Sequence, residues 1–221
     1  MGRAAGLPGT IRELAHYLAS IQDRLDAPTP MDEVDPGDFD LVFYPGGHGP
    51  MEDLSRDAVS GALLTNRLAS GRPLALLCHG PAAMLAAKNI DGTWPFAGYR
   101  ITALSNAEEK LNSFGRKAPW FLEDRLRESG ADYAKGMIPL LPHINLYIGQ
   151  NPASSRQLAN RLPADLTPRL ITEHRAGPAV RRWTEVDDPS PAPGVVICRR
   201  TLVQQHPTGQ RLLVTILQGG P

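Results

Sequence analysis

Two short apolar runs, FDLVFY (39–44) and PLALL (73–77), each end near a glycine-bearing turn, and a helical pattern follows each turn. This alternation constrains the fold more than any other feature. Consecutive strands linked through helices lie parallel in one sheet, with the helices packed on its faces. The pattern continues along the chain. Residues 57–69 carry Val59, Leu63, Leu64 and Leu68 at helical spacing, and GPAAMLAAK (80–88) predicts another helix. RITAL (100–104) predicts a third strand, 118–129 a helix ended by Gly130, INLYIG (144–149) a fourth strand, and 151–162 a last helix. Ahead of these, Thr10 and Glu13 fit a capping box. Ile11, Leu14, Leu18, Ile21 and Leu25 then recur along a helix broken by APTP (27–30).

The expected fold is therefore α/β: a flavodoxin-like parallel sheet with helices on both faces, spanning residues 1–167. The pattern changes after Leu162. From Pro163 to Pro221 there are eight prolines and no lysine, and helical periodicity is lost. GVVIC (194–198), TLVQQ (201–205) and RLLVTIL (211–217) could each form a short strand, with HPTGQ (206–210) as a hairpin turn between the last two. Residues 168–221 are read as an irregular or short-stranded extension of low order.

Composition excludes several classes of function. Lys plus Arg and Asp plus Glu are both 23, so the net charge is zero, which argues against nucleic acid or an anionic membrane as partner. No apolar run approaches the roughly 18 residues of a membrane span, and MGRAAGLPGT lacks a signal-peptide core. Cys78 and Cys198 are the two cysteines, and no metal-type spacing accompanies them. A reduced, cytoplasmic setting without a metal or cofactor is expected.

In open parallel sheets, ligands bind beyond the carboxyl ends of the strands. Three strands bring polar groups there: GGHG with His48, Cys78-His79, and Glu108-Glu109. Cys78 stands where a strand meets a helix, with Gly80 two residues on, as in half of a nucleophile elbow; Leu76 occupies the other position, where a small residue is usual. The helix start predicts a thiol acidified below its free pKa of about 8.5. His79 is the candidate base and Glu108 the first candidate for its orienting acid, with Glu109 second, although Glu109 reads better as a solvated acid. Gly46, Gly47 and Gly49, around His48, suggest amides aimed into the site, which with the His79 N–H could form an oxyanion hole. A tight turn needing glycine explains the same residues.

The stretches DFDLVFYPGGHGPMEDL, CHGPAAML, DGTWPFAG, SNAEE, APWFLEDRLRESGA and IGQNPASS resemble, in order, the DJ-1/PfpI superfamily within the class I glutamine amidotransferase-like fold. The resemblance covers about residues 10–162, and the nearest subgroup is the Hsp31-type, or type 1 glutamine amidotransferase domain, proteins. It implies frequent homodimers and, among other activities, cofactor-independent glyoxalase III chemistry, in which methylglyoxal becomes lactate, and deglycase chemistry. It also implies roles: Cys78 as nucleophile, His79 as acid/base, Glu108 as orienting acid, and the Gly47 and His79 amides as oxyanion donors, with Gly46 and His48 lining the substrate site. Two departures stand out. No counterpart of the family's first strand, or of the following helix with its glutamate, is visible before residue 10, which predicts an impaired site and an exposed edge on the DLVFY strand. The connection carrying His143 is shortened, and His143 is given no role.

The resulting expectation is a cysteine-dependent enzyme acting on small reactive dicarbonyls or glycated groups. The alternatives are a glutamine amidotransferase-like hydrolase and a non-catalytic, chaperone-like stress protein. The amidotransferase reading is disfavoured because the downstream His-x-Glu pattern is absent, Glu173 preceding His174.

Overall fold

The computed structural model of the protein describes residues 8–111, 115, 117–135, 140–143, 145–162, 200–205 and 211–216. Helices α1 (Pro8–Ser20) and α2 (Gln22–Asp26) come first. The first begins on a proline, whose fixed φ suits the opening helical turn. Thr10 is thus inside the helix, not its cap. Strand β1 (Thr29–Pro30) leads through two 3-10 turns to β2 (Leu41–Tyr44), α3 (Gly49–Glu52), α4 (Ala58–Ala69) and β3 (Leu74–Leu77). A 3-10 helix, Gly80–Ala86, follows where the sequence predicts an α-helix. Next come β4 (Arg100–Ile101), α5 (Asn106–Leu111), α6 (Leu122–Glu128), β5 (Asp132–Tyr133), β6 (Leu140–His143) and β7 (Leu146–Gly149). Helix α7 covers residues 155–162, and β8 (Arg200–Gln205) and β9 (Arg211–Ile216) complete the described chain.

The main sheet runs β1-β8-β9-β2-β3-β7-β6. Its centre is parallel: β2 pairs with β3 through Val42↔Leu74, and β3 with β7 through Leu74↔Leu146. Parallel strands covered on both faces have no polar side, and these are apolar throughout. On one face Val42, Tyr44, Leu74, Leu76, Leu146 and Ile148 pack with Leu63 and Leu64 of α4, Met84 and Leu126. On the other, Leu41, Ala75 and Tyr147 meet Leu158 and Leu162 of α7. The Tyr44 hydroxyl is 3.0 Å from Ser60 Oγ, which satisfies the buried tip of the largest β2 side chain.

Two expectations need correction. The third strand does not enter the main sheet, since β4 pairs in parallel with β5 in a separate two-stranded sheet. Its continuation is held instead by the elbow, where the Leu104 N–H donates to the Cys78 carbonyl at 3.0 Å. The DLVFY edge is not exposed either. Strand β9 lies parallel to β2 in the register Leu41↔Leu212, Val42↔Leu213 and Phe43↔Val214, and β8 pairs antiparallel with β9. TLVQQ and RLLVTIL thus form strands, as expected, whereas GVVIC and HPTGQ lie outside the described residues. No helix among the described residues is long and apolar enough to cross a membrane.

Arg67 of α4 is 2% exposed. Its guanidinium donates to four carbonyls: Pro73 at 3.0 Å, Pro36 at 2.9 Å, Phe39 at 3.0 Å and Asp40 at 2.7 Å. It ties α4 to the segments leading into β2 and β3. Arg67→Ala leaves those carbonyls without their donor, and hydrogen bonds to a charged group contribute about 1.5–3 kcal/mol each. We expect Arg67→Ala to destabilise the fold by about 3 kcal/mol or more. Urea denaturation against wild type reads it, and a loss below about 1 kcal/mol would refute the clamp.

Candidate active site

The candidate site lies at the carboxyl ends of β2 and β3. Cys78, directly after β3, has φ 59°, the only positive φ at a non-glycine residue among the described residues. A side chain held there costs about 1–3 kcal/mol, and neighbouring structure must enforce it. The Cys78 N–H donates to the Gly149 carbonyl at 2.8 Å, and the Cys78 carbonyl accepts from Leu104. The elbow is therefore fixed between β7 and the segment running into α5. Two glycines admit it. A Cβ on Gly46 would lie 2.6 Å from Cys78 Cβ, and one on Gly80 would lie 2.4 Å from the Tyr44 carbonyl oxygen.

The turn sets Cys78 Sγ 3.4 Å from His79 Nδ1. His79 Nε2 lies 2.5 Å from Oε2 of Glu109, and Oε1 of the same carboxylate lies 2.9 Å from His48 Nε2. With a carboxylate accepting at Nε2, that nitrogen of His79 carries the hydrogen and Nδ1 is left to accept the thiol proton. His79 and Glu109 are buried, and the His48 side chain is one-third exposed. The two imidazole rings are 4.2 Å apart between centroids.

The carboxylate on His79 is thus Glu109, not Glu108 as the sequence reading expects. Helix geometry explains the exchange. Ser105 caps α5, and Glu108 at its third position accepts from the Ser105 amide at 2.9 Å and hydroxyl at 2.6 Å. This is a capping box. Glu108 also accepts from Gln150 at 2.7 Å and Asn151 at 2.6 Å, which joins α5 to the end of β7. Burial would raise its pKa, but the bonds from Ser105, Asn151 and Gln150 outweigh burial and hold it below the usual range. One position further round the helix, Glu109 faces inward at 2% exposure. The signal was in the sequence: S-x-x-E at 105–108 marks the first glutamate as a cap and leaves the second to the site.

The thiol also differs from expectation. Burial pushes the Cys78 pKa up to about 11; the nearby His79 and Gly47 amides pull it down less, and the charges of Glu109 and Glu108 raise it further. A 3-10 helix of one or two turns offers too small a dipole to reverse desolvation. His79 is held below 6.5, again chiefly by burial and against the opposing pull of Glu109. The resting pair is thus neutral: a protonated thiol facing an unprotonated imidazole. Gly47 is among the groups that lower the thiol's pKa, and a Cβ on Gly46 would lie 3.4 Å from Cys78 Sγ. His48 directs its side chain to Glu109, which the sequence reading missed. Among the described residues, His48, His79 and Glu109 alone group three metal-type donors within 4.8 Å, and Glu109 is hydrogen-bonded to both imidazoles.

The chain is similar to several known proteins. The chain is 26% identical over 167 residues to the protein/nucleic acid deglycase HchA of Pseudomonas aeruginosa, across 69% of this chain and 57% of that protein. The Rapid Encystment Protein 24 kDa of Francisella tularensis superposes with TM-score 0.59 at 28% identity, over 62% of this chain and 63% of that one. Glyoxalase III of Candida albicans shares the fold, with TM-score 0.54 at 22% identity, over 61% of this chain and 60% of that one. The chain thus spans 57–63% of the length of these three proteins. The sequence profile of the DJ-1/PfpI family matches residues 14–125, half of the chain, with the elbow and Glu109 inside the matched span. The chain belongs to the DJ-1/PfpI family.

Proposed function

We propose that the protein is a cysteine-dependent enzyme acting on small reactive dicarbonyls, of the glyoxalase III or deglycase type, with Cys78, His79 and Glu109 as its catalytic set. The observation carrying this reading is the continuous chain from the strained Cys78 thiol through His79 Nδ1 and Nε2 to a buried carboxylate. A structural cysteine in an apolar strand needs neither the strained backbone nor the paired base. The printed name of the HchA relative, a protein/nucleic acid deglycase, supports the deglycase side of this reading.

The chemistry follows from the neutral resting pair. The thiol gives its proton to His79 Nδ1 as sulfur bonds to the aldehyde carbon, and the imidazolium is stabilised by Glu109. The aldehyde oxygen becomes an oxyanion within reach of the Gly47 and His79 amides that now point at sulfur. It then takes up a proton to give a thiohemiacetal. Moving the hydrogen of that carbon to the neighbouring carbonyl carbon, and the hydroxyl proton to that carbonyl's oxygen, yields the thioester of a 2-hydroxy acid. Water releases the hydroxy acid and restores the thiol. Carbon is oxidised at one position and reduced at the next, so no external redox partner is needed.

Incubation with methylglyoxal should give lactate, and Cys78→Ser should abolish turnover while leaving thermal unfolding unchanged. Lactate formation at the same rate by Cys78→Ser would overturn the proposal. A chaperone-like reading rests on one observation: the Leu14, Tyr17 and Leu18 side chains of α1 are 40–45% exposed. Equal suppression of client aggregation by wild type and Cys78→Ser, with no dicarbonyl turnover by either, would favour it. The amidotransferase reading has less support: the nearest candidate for its histidine motif, Glu173-His174, lies outside the described residues.

A further inference from the structure

We infer that His48 is a positioning residue: by donating from Nε2 to Oε1 of Glu109, it fixes the carboxylate that in turn fixes His79. This rests on the Cys78–His79–Glu109 reading and adds a fourth member to it. Glu109 is 2% exposed, so water does not readily replace a lost partner on its carboxylate. Its two oxygens are divided between two rings, Oε2 to His79 and Oε1 to His48, which removes the carboxylate's freedom to rotate. His48 reaches it from a different element, the turn after β2, and the residue before it, Gly47, lends its amide to the sulfur. One tight turn therefore sets both the polar environment of the thiol and the orientation of the acid behind the base. The ionisable groups facing this junction are His79, Cys78 and Glu108, together with Glu109 itself. Glu108 is committed to the α5 cap and to Gln150 and Asn151. Both of its oxygens are engaged there, and His79 bonds Glu109 instead.

The proton between His79 and Glu109 reports on this directly. In wild type, imidazole-labelled with 15N, it should give a far-downfield, slowly exchanging resonance, as short hydrogen bonds to buried carboxylates do. Glu109→Gln should abolish it, which assigns it. His48→Phe, which removes the donor and excludes water, should speed its exchange by roughly tenfold or more, the equivalent of one lost bond to a charged group. His48→Gln can still donate an amide N–H to Oε1 and should keep exchange within about threefold of wild type. If Phe disturbs folding, His48→Leu, which likewise removes the donor and fills the space, carries the same expectation. Wild-type shift and exchange in a folded His48→Phe or His48→Leu protein would overturn the inference, as would a Gln variant no better than Phe. The measurement needs no substrate. Absence of dicarbonyl turnover with the resonance behaving as expected would sink the proposed activity and leave the positioning role standing.

Discussion

Glu109→Gln is expected to lower dicarbonyl turnover by at least about a hundredfold, whereas Glu108→Gln lowers it by less than about tenfold. A positioned acid–base group contributes about 10²–10⁴ in rate, and only Glu109 touches the base, 2.5 Å from His79 Nε2. Glutamine at 109 keeps the size but removes the charge that stabilises imidazolium. Its amide can also present a donor to Nε2, which then turns the other tautomer toward the thiol. Glu108→Gln acts elsewhere. It weakens the Ser105 cap and the links to Gln150 and Asn151, so its cost of about 1–2 kcal/mol falls on stability. Steady-state kinetics paired with urea denaturation separates the two. Equal kinetic losses at both positions would mean that α5 matters only as a structural unit.

Leu213→Pro is expected to destabilise the protein by about 2–4 kcal/mol and to promote aggregation. Strand β9 is paired on both sides, with β2 and with β8, so a proline there removes a ladder bond whichever neighbour it faces. The cost reaches the site because β2 leads directly into Gly46, Gly47 and His48. A typical domain has only about 5–15 kcal/mol to lose. Loss of β9 would also bare the apolar β2 strand as an edge open to pairing with other chains. Denaturation and light scattering together read the effect. A variant as stable and as monodisperse as wild type would show that β9 contributes nothing to the sheet.

The sequence made the parallel core legible because strands buried on both faces read as unbroken apolar runs, and LVFY and LALL are found where FDLVFY and PLALL place them. The elbow was legible because Cys78, His79 and Gly80 are contiguous. Pairing between distant segments was not. Nothing local in RLLVTIL says that it lies beside a strand about 170 residues earlier, because a short apolar run has no address. Glu108 and Glu109 were confused for a different reason: adjacent helix positions point about 100° apart, and the capping box that settles which one faces inward was overlooked. The thiol's pKa was misjudged because a helix start can be read from sequence, whereas depth of burial cannot. Desolvation outweighs the local amides.

The central claim is that Cys78 rests as a buried thiol and is ionised by His79 only as substrate binds. The pH dependence of two rates tests it in one protein. Alkylation of Cys78 by iodoacetamide, followed by peptide mass spectrometry, needs the free thiolate and should keep rising through pH about 11. Methylglyoxal turnover needs only the unprotonated form of His79, whose pKa lies below 6.5, and should already be on its plateau near neutrality. Two separated profiles are the predicted result. An alkylation rate that levels off at or below neutral pH would reveal a preformed thiolate and contradict the account.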